Sequence, residues 1–147
     1  FSSQYLKVLN LPEIPEYIPP RYLRHPSNDF PFVLNTGARN PLYYHSRYRN
    51  IPKFRKAFPV AEMEMNPNDA ARLGIENTEQ VRVVSEIGAV QVRVKIVNNA
   101  QILPGFVEIP HGWQHSNVNF VTYDNINDPI SGFPLLKAVP VRIEKIS

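Results

Sequence analysis

Between Val81 and Ile96 the apolar residues recur with a period of two. Val81 and Val83, then Val90, Val92, Val94 and Ile96, alternate with Arg82, Gln91, Arg93 and Lys95, and Ser85-Glu86-Ile87-Gly88 separates the two runs. Successive side chains of a strand point to opposite faces, so this pattern predicts a hairpin with one buried face and one wet face. Leu103-Pro104-Gly105-Phe106 has the order of a type II turn leading into a strand at Phe106 to Ile109, and Val139 to Ile143 reads as the last strand. Pro140 lacks an N–H, which should put it at a sheet edge or at the start of its strand. Helices are short. Asn66 as N-cap, Pro67 at the first helical position, Asp69 in the first turn and Gly74 as the left-handed stop frame one, with Ile75 folding back on it. Ile51, Phe54 and Phe58 frame a second, from Asn50 to Pro59. The expected class is mainly β with short helices, as a compact barrel, and pattern alone leaves the barrel type open.

The length of 147 residues suits one domain, with a connector ahead of it. Residues 1–28 contain Pro12, Pro15, Pro19, Pro20 and Pro26, which bias the chain toward extended geometry, so this part reads as an arm or linker. Leu6, Leu9, Leu11, Ile14, Tyr17 and Ile18 are too many for a solvated tether, and the arm is expected to lie against a surface, one that another domain could supply. Because the chain starts at Phe1, with this connector-like segment, we expect a fragment of a larger polypeptide. The chain has no cysteine, which excludes disulfides, thiolate zinc or iron–sulfur ligation and a thiol nucleophile within it. No stretch approaches the ~18 to 20 apolar residues of a membrane-spanning helix, and no signal peptide is visible.

The chemistry concentrates after Phe32-Val33-Leu34, where Asn35-Thr36-Gly37-Ala38-Arg39 is followed by His45-Ser46 and Arg49. A glycine that can take a positive φ, two hydroxyls and a planar guanidinium make a polar cradle suited to phosphate. From Gly37 to Ala61 there are six basic residues and no acidic one, against a net charge of only +3 for the whole chain. The basicity is therefore local, and an anion docked at one site is favoured over a general polyanion. Tyr43, Tyr44 and Tyr48, interleaved with these cations, keep a single-stranded nucleic-acid barrel as an alternative. His111 and His115 are four residues apart, but Pro110 and Gly112 argue against a helix between them, so no metal site is expected. Asn117 and Asn119 would point the same way on an extended segment.

These residues, in this order, resemble the C-terminal molybdopterin-dinucleotide-binding domain of the dimethyl sulfoxide reductase family of molybdenum oxidoreductases. The matching residues are Thr36-Gly37-Ala38-Arg39, His45-Ser46 with Arg49, Asn66-Pro67 with Asp69-Ala70 and Leu73-Gly74-Ile75, Val81-Arg82-Val83, Ser85 and Gly88, Pro104-Gly105, His111-Gly112-Trp113, Asn117-Val118-Asn119, Asp128 to Pro134, and Lys137. Gln114 stands where related members often carry a second Trp, and the His-Gly-Trp variant is most similar to the thiosulfate reductase and acetylene hydratase side of the family.

The resemblance implies a double-psi β-barrel at 29–147 that closes over molybdopterin guanine dinucleotide, with the arm at 1–28 crossing from a preceding domain. It implies that Thr36, Gly37 and Arg39 line the dinucleotide, that His45 and Ser46 lie beside the pterin, and that Asn119 and Lys137 approach from later loops. Molybdenum, its protein ligand and any iron–sulfur cluster would belong to the full-length subunit, outside this chain. No catalytic or metal-binding residue is expected here. The expected partners are the preceding domains of the same polypeptide, with room for an electron-transfer subunit, and neither a membrane segment nor nucleic acid. The rival from another class is a double-psi adaptor that binds protein, as at the N-terminus of some ATPases. An aspartate-decarboxylase activity on a related barrel is discarded because the self-cleaving Gly-Ser pair is absent.

Overall fold

The alternation around Val81 to Ile96 becomes the wall of a closed barrel. The computed structural model describes residues 3–20, 27–37 and 40–146. Its strands are β1 (Phe32–Asn35), β2 (Glu62–Met65), β3 (Gln80–Val84), β4 (Ala89–Ile96), β5 (Phe106–Glu108) and β6 (Val139–Lys145), and they close in the order β1-β5-β2-β4-β3-β6. Two pairs, β1 with β5 and β2 with β4, are parallel, and the other four are antiparallel. The architecture is the expected six-stranded barrel with a few short helices.

Side chains from every strand meet inside. Leu34, Met63, Met65, Val81, Val83, Val92, Val94, Val107, Val139 and Val141 are buried in one core cluster. Each such side chain contributes about 1.5–3 kcal/mol by burial. Outside, Arg93 meets Glu62 at 2.6 Å and Lys95 meets Glu64 at 2.8 Å across the parallel β2–β4 pair. Such solvent-facing pairs are worth about 0.2–1 kcal/mol, so the core carries the fold.

The hairpin between β3 and β4 is closed by Ser85, whose N–H donates to the Gly88 carbonyl while its hydroxyl oxygen accepts from the N–H groups of Ile87 and Gly88. A Cβ on Gly88 would meet the Phe120 carbonyl at 2.6 Å, so this glycine lets the 3₁₀ turn Val118–Val121 seat Val118 and Val121 in the core.

The helix α3 (Pro67–Leu73) has the predicted ends: the Asn66 side chain accepts from the Asn68 N–H, and Gly74 stops the helix at φ 64°. The Ile75 N–H returns to the Ala70 carbonyl at 2.9 Å. Asn66 also donates to Asn99 and to the Ile102 carbonyl, and Asp69 accepts from the Gly105 N–H at 2.6 Å, so the cap fastens the turn that opens β5. In that turn Gly105 takes φ 81° and the Phe106 N–H donates to the Leu103 carbonyl, the expected Pro-Gly geometry.

Of the two places expected for Pro140 it takes the start of a strand: it is the second residue of β6, buried opposite Val33 of β1. The Val33 N–H donates to the Gly105 carbonyl on the β5 side, so the Val33–Pro140 pair exchanges no hydrogen bonds across β1–β6. The missing N–H of Pro140 therefore faces β3, whose pairing with β6 begins only at Arg142. A closed barrel can accept the proline at that one place.

The arm also differs from a wholly extended segment, since Gln4–Val8 forms the short helix α1. Ile14, Tyr17 and Ile18 are exposed, Tyr17 at 80%, so no described residue supplies the surface these side chains were expected to cover.

Candidate functional site

The strand β1 ends where the site begins. The Asn35 side-chain oxygen accepts from the Ala138 N–H, and the buried Thr36 hydroxyl donates to the Leu136 carbonyl at 2.5 Å. These two bonds pull the segment before β6 alongside the end of β1. Gly37 follows. It is not among the glycines with positive φ, which corrects the reading of its role. A Cβ there would come within 2.9 Å of Lys137 Cε, so the glycine serves close approach, and it places Lys137 against Thr36-Gly37.

The next wall comes from the segment after residue 40. Tyr43 is buried with Ala61 and Trp113 in a second cluster, against Leu42, Phe54 and Phe58, and its hydroxyl reaches the carbonyls of Phe54 and Phe58 at the end of α2 (Pro52–Ala57). Burial removes Tyr43 from the exposed aromatic set that the nucleic-acid alternative invoked. Tyr44 and Tyr48 do remain exposed.

Pinned this way, the chain passes through Tyr44 and His45 at φ 39° and 69°, two successive left-handed residues that are not glycine. Each such residue costs about 1–3 kcal/mol, which the surrounding packing must offset. Gly112, at φ 105°, makes room for the segment: a Cβ there would collide with the His45 carbonyl.

The two histidines meet. His111 Nδ1 lies 3.1 Å from the Thr36 carbonyl, and His111 Nε2 is hydrogen-bonded to His45 Nδ1. A carbonyl only accepts, so His111 carries its proton on Nδ1, and in the neutral pair His45 Nδ1–H donates to His111 Nε2. Sequence spacing offered His115 as the partner of His111. The fold pairs His111 with His45 instead, which a separation of 66 positions conceals.

These pieces line one cleft of about 990 Å³. Thr36, Gly37, His45, Ser46, Asn119 and Lys137 all face it, while Arg39 lies outside the described residues. Arg49, His111, Gln114 and Asn117 also line it but had no assigned role. Asn117 is not on an extended segment with Asn119: its side-chain oxygen caps the 3₁₀ turn by accepting from the Asn119 N–H.

Phe133 to Leu136 add an apolar stretch to the lining. It is presented by a turn in which Asp128 accepts from the Ile130 and Ser131 N–H groups and the Ser131 hydroxyl, with Gly132 at φ 69°. The Ser131 N–H, and then its hydroxyl, hold the Asp128 carboxyl below its ordinary pKa. No aspartate or glutamate lines the cleft among the described residues. A lining that joins apolar side chains with amides, imidazole and cations suits a heterocycle bearing anionic groups.

A closed six-stranded barrel with a cleft lined by cations and amides, and by no carboxylate among the described residues, defines a ligand-binding module. The chain belongs to the molybdopterin dinucleotide binding domain family, whose model matches residues 32–140.

A dopamine dehydroxylase of Eggerthella lenta is 32% identical over 152 residues, covering 91% of this chain and 15% of that protein. The F420-dependent formate dehydrogenase subunit alpha of Methanocaldococcus jannaschii is 33% identical over 127 residues, covering 82% of this chain and 18% of that protein. The chain thus spans less than a fifth of these relatives. The solved acetylene hydratase of Pelobacter acetylenicus superposes with a TM-score of 0.86 at 24% identity, over 98% of this chain and 23% of that one, a likeness of fold.

Proposed function

We propose that this chain is the part of a molybdenum oxidoreductase that holds molybdopterin guanine dinucleotide in register, while the redox chemistry is done by residues outside it. The observation that carries the reading is the convergence of six sequence-predicted residues, from Thr36 to Lys137, on one cleft with no carboxylate among the described residues. The donor set fits the group. Lys137 and Arg39 would neutralise phosphate, His45, Ser46 and Asn119 would meet ring edges and hydroxyls, and the Phe133 to Leu136 wall would cover a ring face. When bound, the cofactor supplies a dithiolene-held metal that changes oxidation state, and the chain supplies binding, orientation and exclusion of water.

On this reading the arm at 1–28 crosses from a preceding domain, which the exposed Ile14, Tyr17 and Ile18 support, and the chain alone is catalytically silent. Electron-transfer partners would meet the larger polypeptide.

The test is cofactor retention in the full-length polypeptide. Arg39→Ala and Lys137→Ala each remove a charge-assisted contact, a loss of about 1.5–3 kcal/mol, whereas Lys53→Ala on exposed α2 should cost under about 1 kcal/mol. Molybdenum and guanine per subunit after gel filtration should fall in the first two variants and hold in the third. Equal retention in three folded variants would remove the phosphate role of both residues.

A further inference from the structure

Behind Trp113 lies a second cavity of about 330 Å³, lined among others by Arg49, Asn50, Arg55, His115 and Ser116. Arg49 stands between it and the main cleft, since it lines both, and its guanidinium carbon sits 5.4 Å over the Trp113 ring. Two of its donors, Nε and Nη2, are buried with no hydrogen-bond partner. A guanidinium cannot shed its proton, and a desolvated cation with unused donors is costly unless an anion lies near it. No aspartate or glutamate lines either cavity among the described residues. Arg55 brings a second cation to the small cavity alone, and Asn50 and Ser116 bring neutral hydrogen-bonding groups.

We propose that this small cavity is an oxyanion site, separate from the dinucleotide cleft, in which Arg49 and Arg55 hold a phosphate-class group. Contact with the Trp113 ring restrains the Arg49 guanidinium, and its two unpartnered donors are left for an anion. Two guanidinium groups favour a tetrahedral oxyanion over a neutral ligand of the same size.

The chain's single tryptophan, Trp113, lines both cavities and reports on the site. Inorganic phosphate titrated into the chain at constant ionic strength, with chloride as the balancing anion, should change its emission saturably. Arg55→Gln and Arg49→Gln should each weaken phosphate at least fivefold, with circular dichroism confirming the fold. Lys53→Gln removes the same charge two residues away, outside both cavities, and should leave affinity within twofold. No saturable response in the wild type, or equal weakening by Lys53→Gln, overturns the proposal. Weakening by Lys137→Gln but not by Arg55→Gln would put the phosphate in the main cleft and overturn it too. Guanosine diphosphate, titrated separately, tests the cleft reading, so either proposal can fail without the other.

Discussion

Gly112 shows how a single hydrogen in place of a methyl group can set a binding wall. Its backbone lies against the His45 carbonyl, and its φ of 105° is closed to ordinary side chains. Gly112→Ala should therefore cost about 2–4 kcal/mol and break the His45–His111 contact as the wall retreats. Urea unfolding measures the first effect, and the imidazole resonances of the two rings measure the second. Gly37→Ala should be milder, because the group it displaces is the flexible end of Lys137. Both glycines were visible in the sequence as members of ordered motifs. Their physical reasons were not, since the atoms that crowd them come from Lys137 and His45, far along the chain. Arg49 was equally visible as a charge. Its burial over Trp113 depends on a packing cluster that no local pattern encodes.

At the scale of elements, local rules predicted well wherever one segment satisfied its own backbone. The α3 helix carried its cap, its first-turn proline and its glycine stop in nine consecutive residues, and all three take those roles. Asn66→Ala should cost about 2–3 kcal/mol in thermal or urea unfolding, because it removes the cap and also leaves the Ile102 carbonyl without its buried donor. The arm was read as extended and contains the helical turn α1, and Asn117 and Asn119, which would share a face only on an extended segment, lie instead where Asn117 caps a 3₁₀ turn.

The turn at 128–134 carries a pH dependence of known sign. Its Asp128 pKa is depressed in the folded chain, so the stabilisation is complete above the unfolded value of about 3.9 and is lost as pH falls through the lower folded value. The Ser131 amide should thus be protected from hydrogen exchange near pH 5 and lose protection, relative to core amides, as the pH falls well below 4. Protection that does not respond to pH would remove Asp128 from its role in shaping the Phe133 wall.

For the whole molecule, closure of the barrel is what assembles the site. The ends of β1 and β5 and the segment before β6 become neighbours through the β1–β5 and β1–β6 pairings, which join stretches far apart in the chain, and the loop after residue 40 completes the cleft. Barrel type and the partnership of His45 with His111 were beyond periodicity for the same reason, being long-range facts. The order of motifs supplied what periodicity lacked. Occupation of this cleft by the guanine dinucleotide is tested by titrating the chain with guanosine diphosphate and mapping the amide chemical shifts. Millimolar binding, about 4 kcal/mol, is expected from half a site, with shifts at 36–37, 45–49, 111–119 and 133–137 and affinity falling as salt rises. Shifts confined to other surfaces, or none at several millimolar nucleotide, would contradict it.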